Sequence, residues 1–337
     1  MKRIYITGVA GFIGYHLADL LLEEGFVVHG MDGMTPYYDP SLKEARLARL
    51  TGRPGFGFGH LMLEDAAALA ADIAAFRPDA IVHLAAQAGV RYSLEAPRSY
   101  LSSNIEGTFN VLEAARDQGV RHLMIASTSS VFGANTAMPY RETDKADNQV
   151  SLYAATKKAC ETLSHSWAHL YGLPTTCFRF FTVYGPWGRP DMAPFKFTKA
   201  ILAGTPIDVY GQGRMYRDFT YVSDLVRALR LLVEHPPARP DAPGEIAEGD
   251  SLSPVAPWRV VNVGNGEKVS LDEFIAAIEA AAGRPALRNL MGMQKGDVVA
   301  TWADNGLLQR LTGYRPQTGI GEGMARFVRW YRDFYGL

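Results

Sequence analysis

Tyr153 and Lys157 stand four positions apart in the run Tyr153-Ala154-Ala155-Thr156-Lys157. On a helix that spacing places both side chains on one face, a turn apart. A phenol accepts a proton only after it has lost its own, and its reference pKa is about 10. A neighbouring ammonium, together with a cationic ring on a bound cofactor, favours the phenolate. Moving that pKa toward neutrality takes roughly 3 units, about 4 kcal/mol, which two close positive charges in a partly dry cleft can supply. Upstream, Ser127-Thr128-Ser129-Ser130 sets four hydroxyls side by side. Such a rim can bond a sugar hydroxyl or a carboxylate. A solvated helix face or a plain serine-rich turn has the same look, so the reading depends on what accompanies the two patterns.

A glycine run accompanies them. Gly8-Val9-Ala10-Gly11-Phe12-Ile13-Gly14 has GxxGxxG spacing, follows the apolar run Ile4-Tyr5-Ile6 and opens a stretch of helical periodicity. Glycines at a strand–turn–helix junction let the backbone approach a pyrophosphate, and the helix N-terminus binds it through free amides and its dipole. Asp32 lies 18 positions after Gly14, at the end of the next strand candidate. A carboxylate there accepts bonds from ribose hydroxyls and repels a 2′-phosphate, so the expected cofactor is NAD rather than NADP.

The elements that must position these groups alternate. Ile4 to Ile6, Phe26 to Val28, Phe56 to Leu61, Ala80 to Val82, Val120 to Ala126 and Thr175 to Phe181 read as strands. Helical spacing runs over Phe12 to Glu24, Pro97 to Gln118 and Ser151 to Tyr171. That alternation predicts an α/β protein with a doubly wound parallel sheet, and ligands at the carboxyl ends of its strands. The second half is more mixed. It offers helices at Pro194 to Leu202, Leu271 to Ala282 and Gly321 to Tyr335, and short strands at Ile207 to Tyr210 and Phe219 to Val222. Six of the 22 residues from Pro236 to Pro257 are proline, so that stretch reads as a loop. The expected division is a dinucleotide-binding domain over 1–181, with returns near 216–235 and 258–265, and a smaller mixed lobe over 182–337.

The bulk numbers narrow the partners. The chain has 337 residues, 47% of them hydrophobic, enough for about two domains. Its formal net charge is −1, so nothing draws it as a whole to nucleic acid or anionic lipid. An anionic ligand must be met by local cations and backbone amides. The two cysteines, Cys160 and Cys177, form neither a CxxC pair nor a zinc cluster with histidine, so no metal is expected and both read as buried, reduced thiols. No signal peptide and no stretch of ~20 apolar residues is apparent, which gives a cytoplasmic expectation.

Taken together, these residues resemble the extended short-chain dehydrogenase/reductase family over essentially the whole chain. The closest branch is that of the UDP-glucuronate 4-epimerases. The narrower match lies in Pro36-Tyr37-Tyr38-Asp39 with Ser41-Leu42-Lys43, in His83 to Ser93, in Arg179 to Met192, and in Arg217 to Val222. The proline-rich insert before Val260-Val261-Asn262-Val263-Gly264 belongs to the same pattern.

The resemblance implies a Rossmann fold, a UDP-sugar substrate and a homodimer paired through the helices Pro97 to Gln118 and Ser151 to Tyr171. It implies Tyr153 as catalytic base and acid, Lys157 on the nicotinamide ribose and lowering the Tyr153 pKa, and Thr128 on the sugar 4-hydroxyl. Gly8, Gly11, Phe12, Ile13, Gly14, Asp32, Lys43, Leu63, Leu84, Ala85, Ala86, Gln87 and Asn104 join Tyr153 and Lys157 around NAD. Arg189 would grip the substrate carboxylate bidentately, with Ser129, Ser130 and Thr182 about it. Arg91 also falls among the substrate residues. Arg217 would pair with the diphosphate and Asp297 with the uridine ribose. Gln294 stands where relatives acting on neutral sugars carry arginine.

Three positions depart from the family pattern. Met62 replaces an aspartate facing the adenine amino group, Phe132 a tyrosine after the serine strip, and Gly33 an asparagine after Asp32. Ser129 and Ser130 stand where a 4,6-dehydratase carries an Asp-Glu pair, and Ser130 where a UDP-glucuronate decarboxylase carries glutamate. An epimerase of another UDP-hexose or UDP-hexuronate, the decarboxylase, and a catalytically silent NAD-binding protein remain as alternatives.

Overall fold

In a computed structural model, which describes residues 1–293 and 299–337, the first half of the chain winds strand and helix in turn. The strands are β1 (Arg3–Thr7), β2 (Val27–Asp32), β3 (Phe56–His60), β4 (Ala80–His83), β5 (His122–Thr128) and β6 (Thr175–Phe180). Between them lie α1 (Phe12–Glu23), α2 (Ser41–Leu50), α3 (Ala66–Phe76), the short turns α4 (Tyr92–Glu95) and α5 (Pro97–Tyr100), α6 (Gly107–Gln118) and α7 (Leu152–Tyr171). β6 gives way to a short β7 (Thr182–Tyr184). After it come α8 (Ala193–Ala203), β8 (Ile207–Val209), β9 (Tyr216–Arg217), β10 (Phe219–Tyr221), α9 (Val222–Leu232) and β11 (Trp258–Val263). The chain closes with β12 (Val269–Ser270), α10 (Leu271–Ala282), β13 (Arg288–Leu290), β14 (Ala300–Thr301), α11 (Gly306–Thr312) and α12 (Ile320–Tyr335).

Seven strands form one parallel sheet in the order β11-β6-β5-β4-β1-β2-β3. The chain builds outward from β1 through β3, then returns to lay β4 on the other side of β1. That reversal opens a crevice at the carboxyl ends of β1 and β4, the switch point where such sheets bind ligands. β4 and β5 are buried along their whole length, as strands covered by helices on both faces must be. The sheet separates two apolar layers. One joins Ile4, Ile6, Val28 and Val82 to α1 and α9, and the other joins Tyr5, Ile81, Leu123 and Ile125 to α3 and α6.

The smaller lobe is held by aromatic packing. Phe195, Phe219, Phe274, Phe327 and Tyr331 bury one another between α8, α10 and α12, with Phe219 stacked on Phe274 at 4.5 Å. Among the described residues no helix is long and apolar enough to cross a membrane. Cys160 and Cys177 are buried and unpaired with each other, as the sequence suggests.

Several boundaries differ from the sequence reading. The helix expected over Pro97 to Gln118 is broken: Leu101–Glu106 winds as a wider π-helix between α5 and α6. Such bulges occur where a helix must turn a side chain aside, and this one carries Asn104. The strand expected at Val120 begins at His122 and runs on through Ser127 and Thr128, which β6 pairs with Arg179 and Phe180. The Pro236 to Pro257 segment forms only a short turn at Pro243–Glu245.

Candidate active site

The crevice continues into one large cavity between sheet and lobe, of about 1070 Å³. Its floor is the glycine turn. Gly8 has φ +75°, and a Cβ there would lie 2.8 Å from the Ala85 backbone nitrogen. A Cβ on Gly11 would sit 2.9 Å from the Gly8 carbonyl oxygen, and one on Gly14 would strike the same oxygen. The turn is therefore closed as far as glycine allows, and α1 starts at it with no side-chain cap on its amides. An uncapped helix N-terminus with bare backbone in front of it is what a pyrophosphate needs.

Asp32 ends β2 beside this turn. One carboxylate oxygen accepts from Ala10 N at 3.1 Å and the other from Met34 N at 2.8 Å. Each keeps a lone pair for a ribose hydroxyl. Phe12, Ile13, Leu63, Leu84, Ala85, Ala86, Gln87 and Lys43 line the same end, and Lys43 Nζ donates to Thr35 O at 2.9 Å. Asn104 does not line the cavity. Its side chain accepts from Gln87 N at 2.8 Å and donates to Gln87 O and Thr156 Oγ1, so it shapes the wall from behind. Met62 lines the cavity at 41% exposure and folds over Gly33, where a side chain would run into its thioether.

α7 enters the cavity with its first turn, capped by Ser151, whose hydroxyl accepts from Ala154 N at 3.1 Å. Tyr153 and Lys157 both face the cavity. Lys157 Nζ donates to Ala126 O at 2.9 Å, tying the helix to the end of β5. Burial pushes the Tyr153 phenol up; a hydrogen bond with Thr128 and the charge of Arg189 act against it. Burial also lowers the Lys157 ammonium. Lys157 stays an ammonium donor with two further N–H groups beyond its bond to Ala126 O.

The four-hydroxyl rim is reduced to three. Ser127 Oγ turns beneath the strand and donates to Glu161 Oε1 at 2.7 Å; Arg179 binds that carboxylate with Nε at 2.8 Å and Nη2 at 2.9 Å. This buried pair stitches α7, β5 and β6 together below the cavity. Thr128 Oγ1 accepts from Ser130 N at 3.1 Å, which starts the turn Ser129–Phe132 and leaves Ser129 and Ser130 on the cavity wall. Phe132 is fully buried, stacked on Tyr140 at 4.3 Å and under the Arg179 guanidinium. Its missing hydroxyl therefore faces core rather than ligand.

Thr182, Arg91, Arg189 and Arg217 line the opposite, lobe-side wall. Arg91 lies over the Tyr210 ring at 5.0 Å, and Arg217 Nη1 donates to Tyr216 O at 2.8 Å. One edge of Arg189 is engaged inside the protein, its Nε and Nη2 binding the Asp191 carboxylate. Gln294 and Asp297 lie outside the described residues. Three residues with no role assigned from sequence prove structural to the site: Tyr37, Asp191 and Arg46. Arg46 is fully buried on α2 and donates to Trp187 O at 3.1 and 2.6 Å, Ala10 O at 3.1 Å and Tyr38 Oη at 2.8 Å. It latches the loop bearing Arg189 to the glycine turn. Its one sequence signal was a position three residues beyond Lys43, on the same helix face.

The residues present thus fit a dinucleotide at the glycine turn and an anionic, hydroxyl-rich ligand beyond Tyr153. Comparison with known proteins agrees. Residues 4–246 match the NAD dependent epimerase/dehydratase family. The chain is 54% identical to the "Probable UDP-glucuronate 4-epimerase" of Rhizobium meliloti, over 99% of this chain and 98% of that protein. It is 42% identical to "UDP-glucuronate 4-epimerase 1" of Arabidopsis thaliana, over 99% of this chain and 77% of that one. The fold superposes on the crystal structure of UDP-glucuronic acid 4-epimerase from Bacillus cereus in complex with UDP-glucuronic acid and NAD, with a TM-score of 0.87, 28% identity and coverage of 99% and 100%.

Proposed function

The chain belongs to the NAD dependent epimerase/dehydratase family, and from that premise we propose that it inverts C4 of UDP-glucuronate to give UDP-galacturonate. The observation that carries the reading is one cavity holding Tyr153 against Thr128 and Arg189 at one end and the glycine turn with Asp32 at the other. Gly8, Gly11, Gly14, Asp32, Lys43, Leu63 and Leu84 to Gln87 would hold the NAD, in a half formed by residues 1–181 and the returns near 216–235 and 258–265. The UDP-sugar would lie mainly against residues 182–337.

When bound, NAD supplies the hydride acceptor and donor for the sugar C4. The chain's own residues handle the proton and the orientation. Tyr153 takes the 4-hydroxyl proton as C4 becomes a ketone, and gives it back when the opposite face is reduced. Thr128 bonds both the phenol and the sugar oxygen, so proton and substrate stay in register. Lys157 would hold the nicotinamide ribose from its place on Ala126. Arg189, Ser129, Ser130 and Thr182 would restrain the carboxylate. That restraint matters because the 4-ketone makes the sugar a β-keto acid. If the C5–C6 bond aligns with the ketone, it breaks, CO₂ leaves and its electron pair passes into an enolate.

The exposed apolar face of α6 and α7 supports a homodimer, and two buried free thiols suit a reducing cytoplasm. The test of the base is Tyr153→Phe, followed by NMR of UDP-glucuronate turnover and by NAD titration. Turnover should fall at least ~100-fold while NAD binding is retained. Epimerisation near the wild-type rate would remove Tyr153 from the chemistry.

A further inference from the structure

Arg189 is held from within the protein before any ligand arrives. Its Nε donates to Asp191 Oδ1 at 3.0 Å and its Nη2 to Asp191 Oδ2 at 2.5 Å. Tyr37 Oη donates to the same Oδ2 at 3.1 Å, and the guanidinium carbon lies 5.6 Å from the centre of the Tyr37 ring. Tyr37 is itself wedged. Its ring centre is 4.7 Å from that of Tyr92, and its hydroxyl is 3.0 Å from where a Cβ on Gly89 would lie. Tyr100 completes this wall, donating to Gly89 O at 2.6 Å with its ring 6.1 Å from Tyr153. Asp191 thus occupies the Nε–Nη2 edge of the guanidinium and leaves the Nη1–Nη2 edge.

The geometry points to Asp191 and Tyr37 as positioning residues that fix the Arg189 guanidinium and aim its remaining Nη1–Nη2 edge at the substrate carboxylate. The inference rests on the reading that the substrate is a UDP-hexuronate. Asp191 also cancels the guanidinium charge, so the pair contributes direction more than attraction. A guanidinium without that anchor could turn on its own side chain and carry the carboxylate with it. The swing turns the C5–C6 bond toward alignment with the 4-ketone. Direction at this point therefore decides between returning the sugar intact and losing CO₂.

The test is Asp191→Asn, with Tyr37→Phe as a milder variant that removes one hydrogen bond. Products from UDP-glucuronate are followed by NMR, and substrate affinity is measured by calorimetry in a Tyr153→Phe background where nothing turns over. For Asp191→Asn we expect epimerisation kcat to fall about tenfold, the share of substrate lost as CO₂ and pentose to rise at least about threefold, and Kd for UDP-glucuronate not to rise. Tyr37→Phe should move kcat and product share in the same direction by a smaller factor. An unchanged kcat and product ratio in both variants would overturn the assignment. So would a raised Kd with kcat intact, since that marks simple ground-state binding. NAD affinity and melting temperature near wild type show that Asp191→Asn has folded. A wild-type protein that makes no UDP-galacturonate would fail the functional reading itself, a different outcome from wild-type-like behaviour in the variants.

Discussion

Burial moves the two groups at the start of α7 toward their neutral forms, pushing the Tyr153 phenol up and the Lys157 ammonium down. A cationic ring beside them would act the other way on the phenol. A second buried acid shows the same physics without the chemistry. Glu142 accepts from Asn262 N at 2.9 Å, and burial pushes its carboxyl from an ordinary 4.5 up to about 7. Below about pH 4.5 the folded and unfolded chains both carry that proton. As pH rises, the unfolded chain releases it first, so stability is lost until the folded value is passed. The gap amounts to about 3 kcal/mol. Glu142→Gln keeps an oxygen for Asn262 and removes the titration. Scanning calorimetry should show it melting roughly 5 °C above wild type at pH 8 and level with it near pH 4.5. An equal shift at both pH values would mean that ionisation is not the cause.

At the scale of elements, what the sequence made legible were the pieces with strong local rules. The glycine turn, the first strands and α7 follow from periodicity, and the turn's function follows from its glycines. What it hid were contacts between elements. No spacing rule sets Tyr37 on Asp191 or turns Ser127 down to Glu161, because each bond joins segments far apart in the chain. The π-helical stretch at Leu101–Glu106 was hidden for a similar reason: the apolar period continues across it, and Asn104's bonds to Gln87 appear only once β4 is in place. The π-helical stretch, α6 and α7 also carry an outward apolar face. Leu101, Phe109, Leu170 and Tyr171 are exposed there, with Phe109 edge-on to Trp167 at 5.5 Å. So contiguous an aromatic and aliphatic face suits a second copy of the chain. Light scattering should give twice the chain mass for wild type and a monomer for Phe109→Glu. A monomeric wild type would end the proposal.

The whole molecule explains why the lobe is needed. The sheet alone offers a dinucleotide crevice with no wall beyond Tyr153. Arg189, Arg217 and Thr182 supply that wall, and they come from the chain after β6. The parallel sheet could be read in advance because strands and helices alternate, yet α2 and α9 could not. α2 takes its meaning from Arg46, a buried cation satisfied by the carbonyls of Ala10 in the glycine turn and of Trp187, which comes from the chain after β6. In the proposed reaction C4 loses and regains the same hydrogen within one cavity while Tyr153 moves the proton. Turnover of UDP-glucuronate carrying deuterium at C4, in ordinary water and followed by NMR, tests it most directly. The expected product is UDP-galacturonate with the deuterium retained at C4; UDP-galacturonate with that label lost to solvent, or no UDP-galacturonate at all, would rule the reaction out.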